Sequence, residues 1–302
     1  MSWECPHQSG EEPDCDRLGR ACEPASKGCV LYGKVQLLGF DQEVKTMNAA
    51  KTKTETLNTA IKISPDQTVG ELVIQHPQLR ARLEQLGVDY CCGGKKPLAQ
   101  AVKDAGLDLE AVLADLGQSR LTGSETAAPT DWAAAPLTVL ADHILDTHHV
   151  FTKSQLTRID ALLGKVQNAH RARHGAMLDT LRGLFDPLKA ELEAHLMKEE
   201  QILFPAIKSI DGYMAGRNEL PVVHCGSIAH PIRQMEHEHE GAGSTLAAMR
   251  KLTVNYRLPA DACQTFRALY EALEALETDL HEHIHLENNI LFPKSVAQEA
   301  SM

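Results

Sequence analysis

The chain has 302 residues, 4% of them aromatic, and a formal charge of -11 at neutral pH. That length buries a full core with room for more than one domain, and that acidic balance repels nucleic acid and anionic membrane, so neither is expected as a partner. No apolar run reaches the length of a membrane span and the first residues lack a signal-peptide pattern, so a cytoplasmic location is expected. In a reducing compartment the eight cysteines read as ligands, redox groups or core residues rather than disulfides. Few aromatics beside abundant Ala and Leu favour helix over sheet.

Residues 1–60 differ from the rest. Cys5, Cys15, Cys22 and Cys29 sit among Pro, Gly, Glu and Asp, and none of their intervals is the tight C-x2-C of a strong metal motif. The segment reads as a mobile cysteine-containing extension with a strand or hairpin arm at 30–40 and a linker at 45–59. The alternative is an additional metal or redox site on the four thiols.

Residues 61–118 read as a small helical domain. Asp66 is placed to cap a helix over 68–75 that stops at His76-Pro77, and a second helix, 78–86, carries Leu79, Leu83 and Leu86 on one face and ends at Gly87. Then comes Asp89-Tyr-Cys91-Cys92-Gly-Gly-Lys-Lys-Pro97, followed by helices at 98–103 and 108–116. Paired thiols in a Gly-rich turn, beside two lysines and ahead of a helix N-terminus, are expected to be exposed and to favour thiolate. Cys91 and Cys92 are therefore candidates for iron or redox exchange; the alternative is two small buried residues that shape the turn.

A Ser/Thr/Ala linker at 119–130 precedes a bundle over 131–297. Its helices are expected at 136–163, 174–204, 230–252 and 260–290, with Pro187 as a kink and a long surface loop at 206–229. Two stretches match. His195-Leu-Met-Lys-Glu199-Glu-Gln-Ile-Leu-Phe-Pro205 returns 88 residues later as His283-Ile-His-Leu-Glu287-Asn-Asn-Ile-Leu-Phe-Pro293. A spacing of four puts each His and Glu on one helical face, and each Pro is expected to end its helix. His149 precedes His195 by 46 residues and His239 precedes His283 by 44, so each helix pair offers His, then His plus Glu.

Four inward imidazoles and two inward carboxylates are costly to bury without a cation, which makes His149, His195, Glu199, His239, His283 and Glu287 candidate ligands of a two-metal site. A nitrogen and oxygen donor set suits iron or manganese, with the two carboxylates bridging, although spacing leaves zinc open. His148 lies about 100° around the helix from His149. His143, His237, His281 and His285 are also off the ligand faces. Glu191, one turn before His195, and Glu238, beside His239, are candidates for holding an imidazole from behind or for polar surface alone.

The D-Y-C-C-G-G turn, the two H-x3-E copies and the Glu-His239-Glu segment together resemble the iron–sulfur cluster repair di-iron proteins, over about residues 65–297. The resemblance implies an all-α fold, a hemerythrin-like four-helix bundle preceded by a small helical Cys-Cys domain. It implies two non-haem iron ions, oxo- and carboxylate-bridged, on the same six residues. Damaged iron–sulfur proteins are the implied partners, with repair after nitrosative or oxidative stress, by supply of iron, as the implied role. Nitric oxide reduction at the di-iron site, or hemerythrin-like sensing of O2 or NO, are the alternatives. The linker at 119–130 also allows a homodimer.

Overall fold

Thr68 opens the first helix of the main unit. Its side chain accepts from Glu71 N–H while the Glu71 carboxylate accepts from Thr68 N–H, a reciprocal cap that satisfies two otherwise orphaned donors. Thr68, not Asp66, is thus the cap: only from Thr68 does the i to i+3 spacing bring a glutamate back onto the cap itself. The computed structural model describes residues 63–118, 130–217, 219–221 and 226–302, with the backbone of three short strands before them. The chain divides into two compact units, Met1–Asn58 and Thr59–Met302. In the first, strands β1 (Gln8–Ser9), β2 (Asp14–Cys15) and β3 (Arg20–Ala21) pair antiparallel in that order, Gln8 opposite Cys15 and Cys15 opposite Arg20. The arm expected at 30–40 and the linker at 45–59 lie outside the described residues.

The second unit is helical. Helix α1 (Val69–Gln75) leads through a 3-10 turn, Pro77–Leu79, into α2 (Arg80–Leu86), which Gly87 ends at φ 70°, a left-handed position that a side chain resists. Helices α3 (Leu98–Asp104) and α4 (Leu109–Gln118) close a small core around Leu72, Leu79, Leu83, Leu98 and Val102. Ile284, from the far end of the chain, packs in that same core, so the small helices and the bundle share apolar surface.

Helix α5 (Leu137–Ile144) passes through a π-helical turn, Leu145–His149, into α6 (Val150–Lys198). The turn expected between 163 and 174 is itself helical, yet the run doubles back. Asp160 bonds Arg182 at 2.6 Å and Lys189 at 2.7 Å, and Gln167 bonds Asp179 at 3.0 Å, pairs that centre near residues 171–174. Pro187 lies inside the returning arm. A second π turn, Glu199–Leu203, continues into α7 (Phe204–Met214), so the helix does not end at Pro205 and the loop expected at 206–229 is shorter. Helix α8 spans Ala229–Leu252; α9 (Gln264–Leu286) passes through a third π turn, Glu287–Leu291, into α10 (Phe292–Glu299), again through a proline. In the first turn of an α segment the N–H that proline lacks has no obligatory partner, which is why Pro205 and Pro293 are tolerated there.

Two apolar clusters fill the bundle. One gathers Leu156, Phe185, Leu192, Ala242, Leu273 and Leu280; the other gathers Ile144, Leu203, Phe204, Met235, Leu286 and Phe292. On every helix the chain passes from one cluster to the other across a histidine: His149, His195, His239 or His283. The histidines therefore form a single polar layer between two greasy ones.

Candidate metal centre

In that layer His149, Glu199, His283 and Glu287 bring donor atoms within 4.8 Å of one another, and so do His195, Glu199, His239 and Glu287. Each set takes one imidazole from each helix pair, and both carboxylates belong to both sets. Glu199 turns Oε2 to His149 Nε2 at 3.4 Å and Oε1 to His195 Nε2 at 3.2 Å. Glu287 turns Oε2 to His239 Nε2 at 3.2 Å and Oε1 to His283 Nε2 at 3.1 Å. All six residues are at most 4% exposed.

The outward nitrogens explain the inward ones. His149 Nδ1 lies 2.9 Å from Glu200 Oε1, His195 Nδ1 2.7 Å from Glu238 Oε2 and His239 Nδ1 2.9 Å from Asn288 Oδ1. An oxygen acceptor behind Nδ1 keeps the proton there and leaves Nε2 with a lone pair facing the layer. Lys153 and Lys198 in turn bond Glu200 and Glu238. Phe204 packs against the His149 ring at 5.6 Å and Phe292 stacks on the His239 ring at 6.1 Å. Each copy of the repeat thus supplies an oxygen and a phenyl ring to the histidine of the neighbouring helix, and each passes through a π turn as it does so.

Charge favours a cation. Burial and mutual repulsion push the Glu199 carboxyl up, but the surrounding imidazoles outweigh both and hold it below its ordinary range. Glu287 is held well below that range, burial being overcome by His283 and His239. Burial opposes charge on His195, yet Glu199, Glu287 and Glu238 hold its pKa up at about 9, while burial wins at His283 and lowers it. His239 Nε2 sits 3.0 Å from His195 Nε2, lone pair toward lone pair unless a proton or a metal stands between them. His149 Nε2, both Glu199 oxygens and Glu287 Oε2 have no hydrogen-bond partner among the described residues. Buried groups of this kind are normally satisfied, and a dipositive ion pair satisfies all of them. The residues fit the two-metal centre expected from the sequence, and their nitrogen and oxygen donors suit iron or manganese.

The remaining histidines point elsewhere. His148 is buried behind His283, stacked at 5.5 Å, with Nδ1 3.0 Å from Asp279. His143 stacks on Trp132, His281 faces Glu84, His285 packs against Tyr90, and His237 is exposed. Glu191 is exposed at the mouth of a cavity of about 350 Å³ lined by Leu192, His195, His239, Ala242, Leu280 and His283. Glu200 and Asn288 were not singled out by spacing, although each directly follows the glutamate of its repeat.

The cysteine turn corrects one expectation. Asp89 Oδ1 accepts from the N–H groups of Cys91 and Cys92, and Oδ2 from that of Gly93, which folds the turn inward. Cys91 is only 7% exposed. The Cys92 sulfur, burial and the Asp89 carboxylate together push the Cys91 thiol well up, so thiolate is disfavoured there rather than favoured. Lys95 and Lys96 are turned to Glu236 and Asp104. Cys92 is half-buried, and both cysteines border a second cavity, of about 770 Å³, together with Glu240, Gly243 and Arg250 of α8. Cys15 ends β2; the side chain of Cys15 and all of Cys5, Cys22 and Cys29 lie outside the described residues, and with them the extra metal or redox site.

Among the described residues no helix is long and apolar enough to cross a membrane. Residues 140–295 match the family described as Hemerythrin HHE cation binding domain, and residues 65–120 match a domain of unknown function. The iron-sulfur cluster repair protein YtfE of Citrobacter koseri is 38% identical over 234 residues, which is 78% of this chain and 98% of that protein. The proteins of that name from Escherichia coli O157:H7 and Shigella boydii serotype 4 are each 37% identical over the same shares.

Proposed function

The chain belongs to the iron–sulfur cluster repair family that includes these YtfE proteins, and from that premise we propose that it repairs iron–sulfur clusters damaged by nitrosative or oxidative stress. The observation that carries the reading is the bridging posture of two buried carboxylates, each with one oxygen toward either half of the layer. In this reading His149 and His283 would hold one iron and His195 and His239 a second, with Glu199 and Glu287 available to both. Iron in such a set supplies redox chemistry and an exchangeable cation for a damaged cluster. Glu200, Glu238 and Asn288 fix the imidazole orientations and keep the lone pairs inward. Cys91 and Cys92 are assigned the exchange of iron or electrons with the damaged protein, in a reducing cytoplasm that keeps both thiols free.

A further metal or redox group on Cys5, Cys15, Cys22 and Cys29 is an added part of the proposal, read out by metal content after their replacement with serine. Small ligands such as NO or O2 form a second reading, favoured by the cavity that reaches His195, His239 and His283. Two measurements test the first. Protein purified without added metal should hold about two irons per chain, by the chemistry of a two-metal N/O set, and Glu199→Leu should lose them. Cys91→Ser with Cys92→Ser should keep the iron spectrum but fail to restore a damaged [4Fe–4S] enzyme. Full restoration by the serine variant removes the thiols from the mechanism; reduction of NO with turnover and no loss of iron would favour the second reading.

A further inference from the structure

At the reversal of α6 a different set of donors meets. His170 and His174 are one turn apart on the same helical face, and with Asp261 they bring donor atoms within 4.8 Å of one another. His174 Nε2 is 2.9 Å from Asp261 Oδ1, and His170 Nε2 is 3.2 Å from Cys263 Sγ. Phe266 packs edge-on against both imidazoles, at 5.2 Å and 5.7 Å, and so sets their planes. Asp261 and Cys263 come from the connection that leads into α9, where Cys263 is the residue just before the first helical turn. His170 lies 21 residues beyond His149 and His174 lies 21 before His195, which at the helical rise puts this cluster about 30 Å from the iron layer.

We propose that His170, His174, Asp261 and Cys263 form a second, mononuclear site for a zinc-class divalent cation. The proposal stands apart from the repair reading, because none of the four residues belongs to the iron layer. Two imidazoles, one carboxylate and one thiolate neutralise a dipositive ion and match the donor types that zinc takes in closed tetrahedral sites. Zinc bond lengths of about 2.0–2.3 Å imply donor separations of roughly 3.3–3.6 Å. The His174–Asp261 and His170–Cys263 contacts therefore open slightly, the remaining pairs of His170, His174 and Asp261 draw together from within 4.8 Å, and the exposed Cys263 turns in from its contact on His170. The cluster's two anionic donors are already poised as ligands. The hydrogen bond from His170, helped by the Phe266 and Thr265 N–H groups, brings the Cys263 thiol down to about 7. His174 and Arg173 hold the Asp261 carboxyl at about 2. Arg173, 3.1 Å from Asp261, is the competing cation; it is largely exposed and free to swing into solvent when a metal enters. Four protein ligands leave no open position, so the site pins the α6 reversal to the start of α9 and performs no reaction of its own.

The test uses the full chain with its iron in place. Wild-type protein should bind one more equivalent of Zn(II) than the His170→Ala, His174→Ala double variant, at equal iron content. Loaded with Co(II), it should show thiolate-to-metal charge-transfer absorption that is reduced in Cys263→Ser; thiols elsewhere contribute equally to both and cancel in the difference. Loss of any one ligand should weaken zinc retention by more than the ~10–100-fold that losing an outer hydrogen-bond partner costs. Should the double variant lose iron, the comparison is carried by Cys263→Ser and Asp261→Asn, both at exposed positions. Equal zinc stoichiometry in wild type and variants of equal iron content overturns the site, and an unchanged Co(II) spectrum in Cys263→Ser overturns the four-donor set.

Discussion

Single side chains decide how the histidine–glutamate layer is aimed for the proposed iron. The imidazoles are aimed by what stands behind them, and Glu200 and Asn288 stand at equivalent places in the two repeats. Glu200→Ala and Asn288→Ala should each weaken iron retention by about 10–100-fold without exchanging a ligand. The rate of iron loss to a chelator reads this; retention as tight as wild type would mean that these bonds orient nothing. Periodicity found the H-x3-E faces because a face is a property of one helix. It did not find Glu200 or Asn288, whose targets lie on other helices. Gly94 is a second case. A Cβ there would stand 2.3 Å from Asn289 Oδ1, and Asn289 Nδ2 donates to the Tyr90 carbonyl at 3.0 Å. Gly94→Ala should therefore cost about 1–3 kcal/mol by overpacking, with the cysteine turn lifted from the bundle. Asn289→Gly in the same chain should recover part of the loss, measured as denaturation midpoints; no recovery would place the strain elsewhere.

Among the elements, α6 departs furthest from its sequence reading. The reversal falls where the sequence reading placed a turn, between 163 and 174, but residues 164–173 hold no proline and, Gly164 apart, nothing that breaks a helix strongly, so they stay helical through it. Asp160 bonds two basic side chains of the returning arm, and Lys189 and Arg182 hold its carboxyl below the ordinary range. A group depressed in the folded state stabilises above its unfolded pKa, about 3.9, and that stability fades as the pH falls below it. Asp160→Asn should thus lower stability at neutral pH by roughly 0.5–1 kcal/mol, the range for a solvent-screened network, and the gap to wild type should close in acid. Paired urea titrations at pH 7 and pH 3 measure it; a gap that persists in acid would trace the loss to packing. The π turns were equally illegible. They insert a wide turn at the candidate ligands His149, Glu199 and Glu287, a feature common at functional sites, and no residue pattern announces it.

Across the whole molecule the bundle carries its site at the expense of its core. Apolar clusters on both sides could have met, yet a layer of four imidazoles and two carboxylates separates them. The architecture was legible because a doubled motif at matching intervals fixes four helices and one layer at once. The layer's energetics were not, since they depend on which groups face each other. Without metal the carboxylates stay ionised at full burial, their attraction to the imidazoles offsetting a desolvation cost of several kcal/mol per ion. Replacing buried charge with apolar groups of similar volume is often stabilising, by about 1–4 kcal/mol. Leucine at all six positions of the layer, Glu199, Glu287, His149, His195, His239 and His283, leaves no buried partner stranded, and should therefore make the metal-free chain more stable than metal-free wild type while abolishing iron binding. Iron should reverse the order, because a ligand bound only by the folded state adds about 2.7 kcal/mol at a hundred times its dissociation constant. Denaturant titrations of both proteins, stripped and iron-loaded, give the four numbers. If the stripped leucine variant is the weaker protein, the glutamates and histidines are structural partners first and metal ligands second.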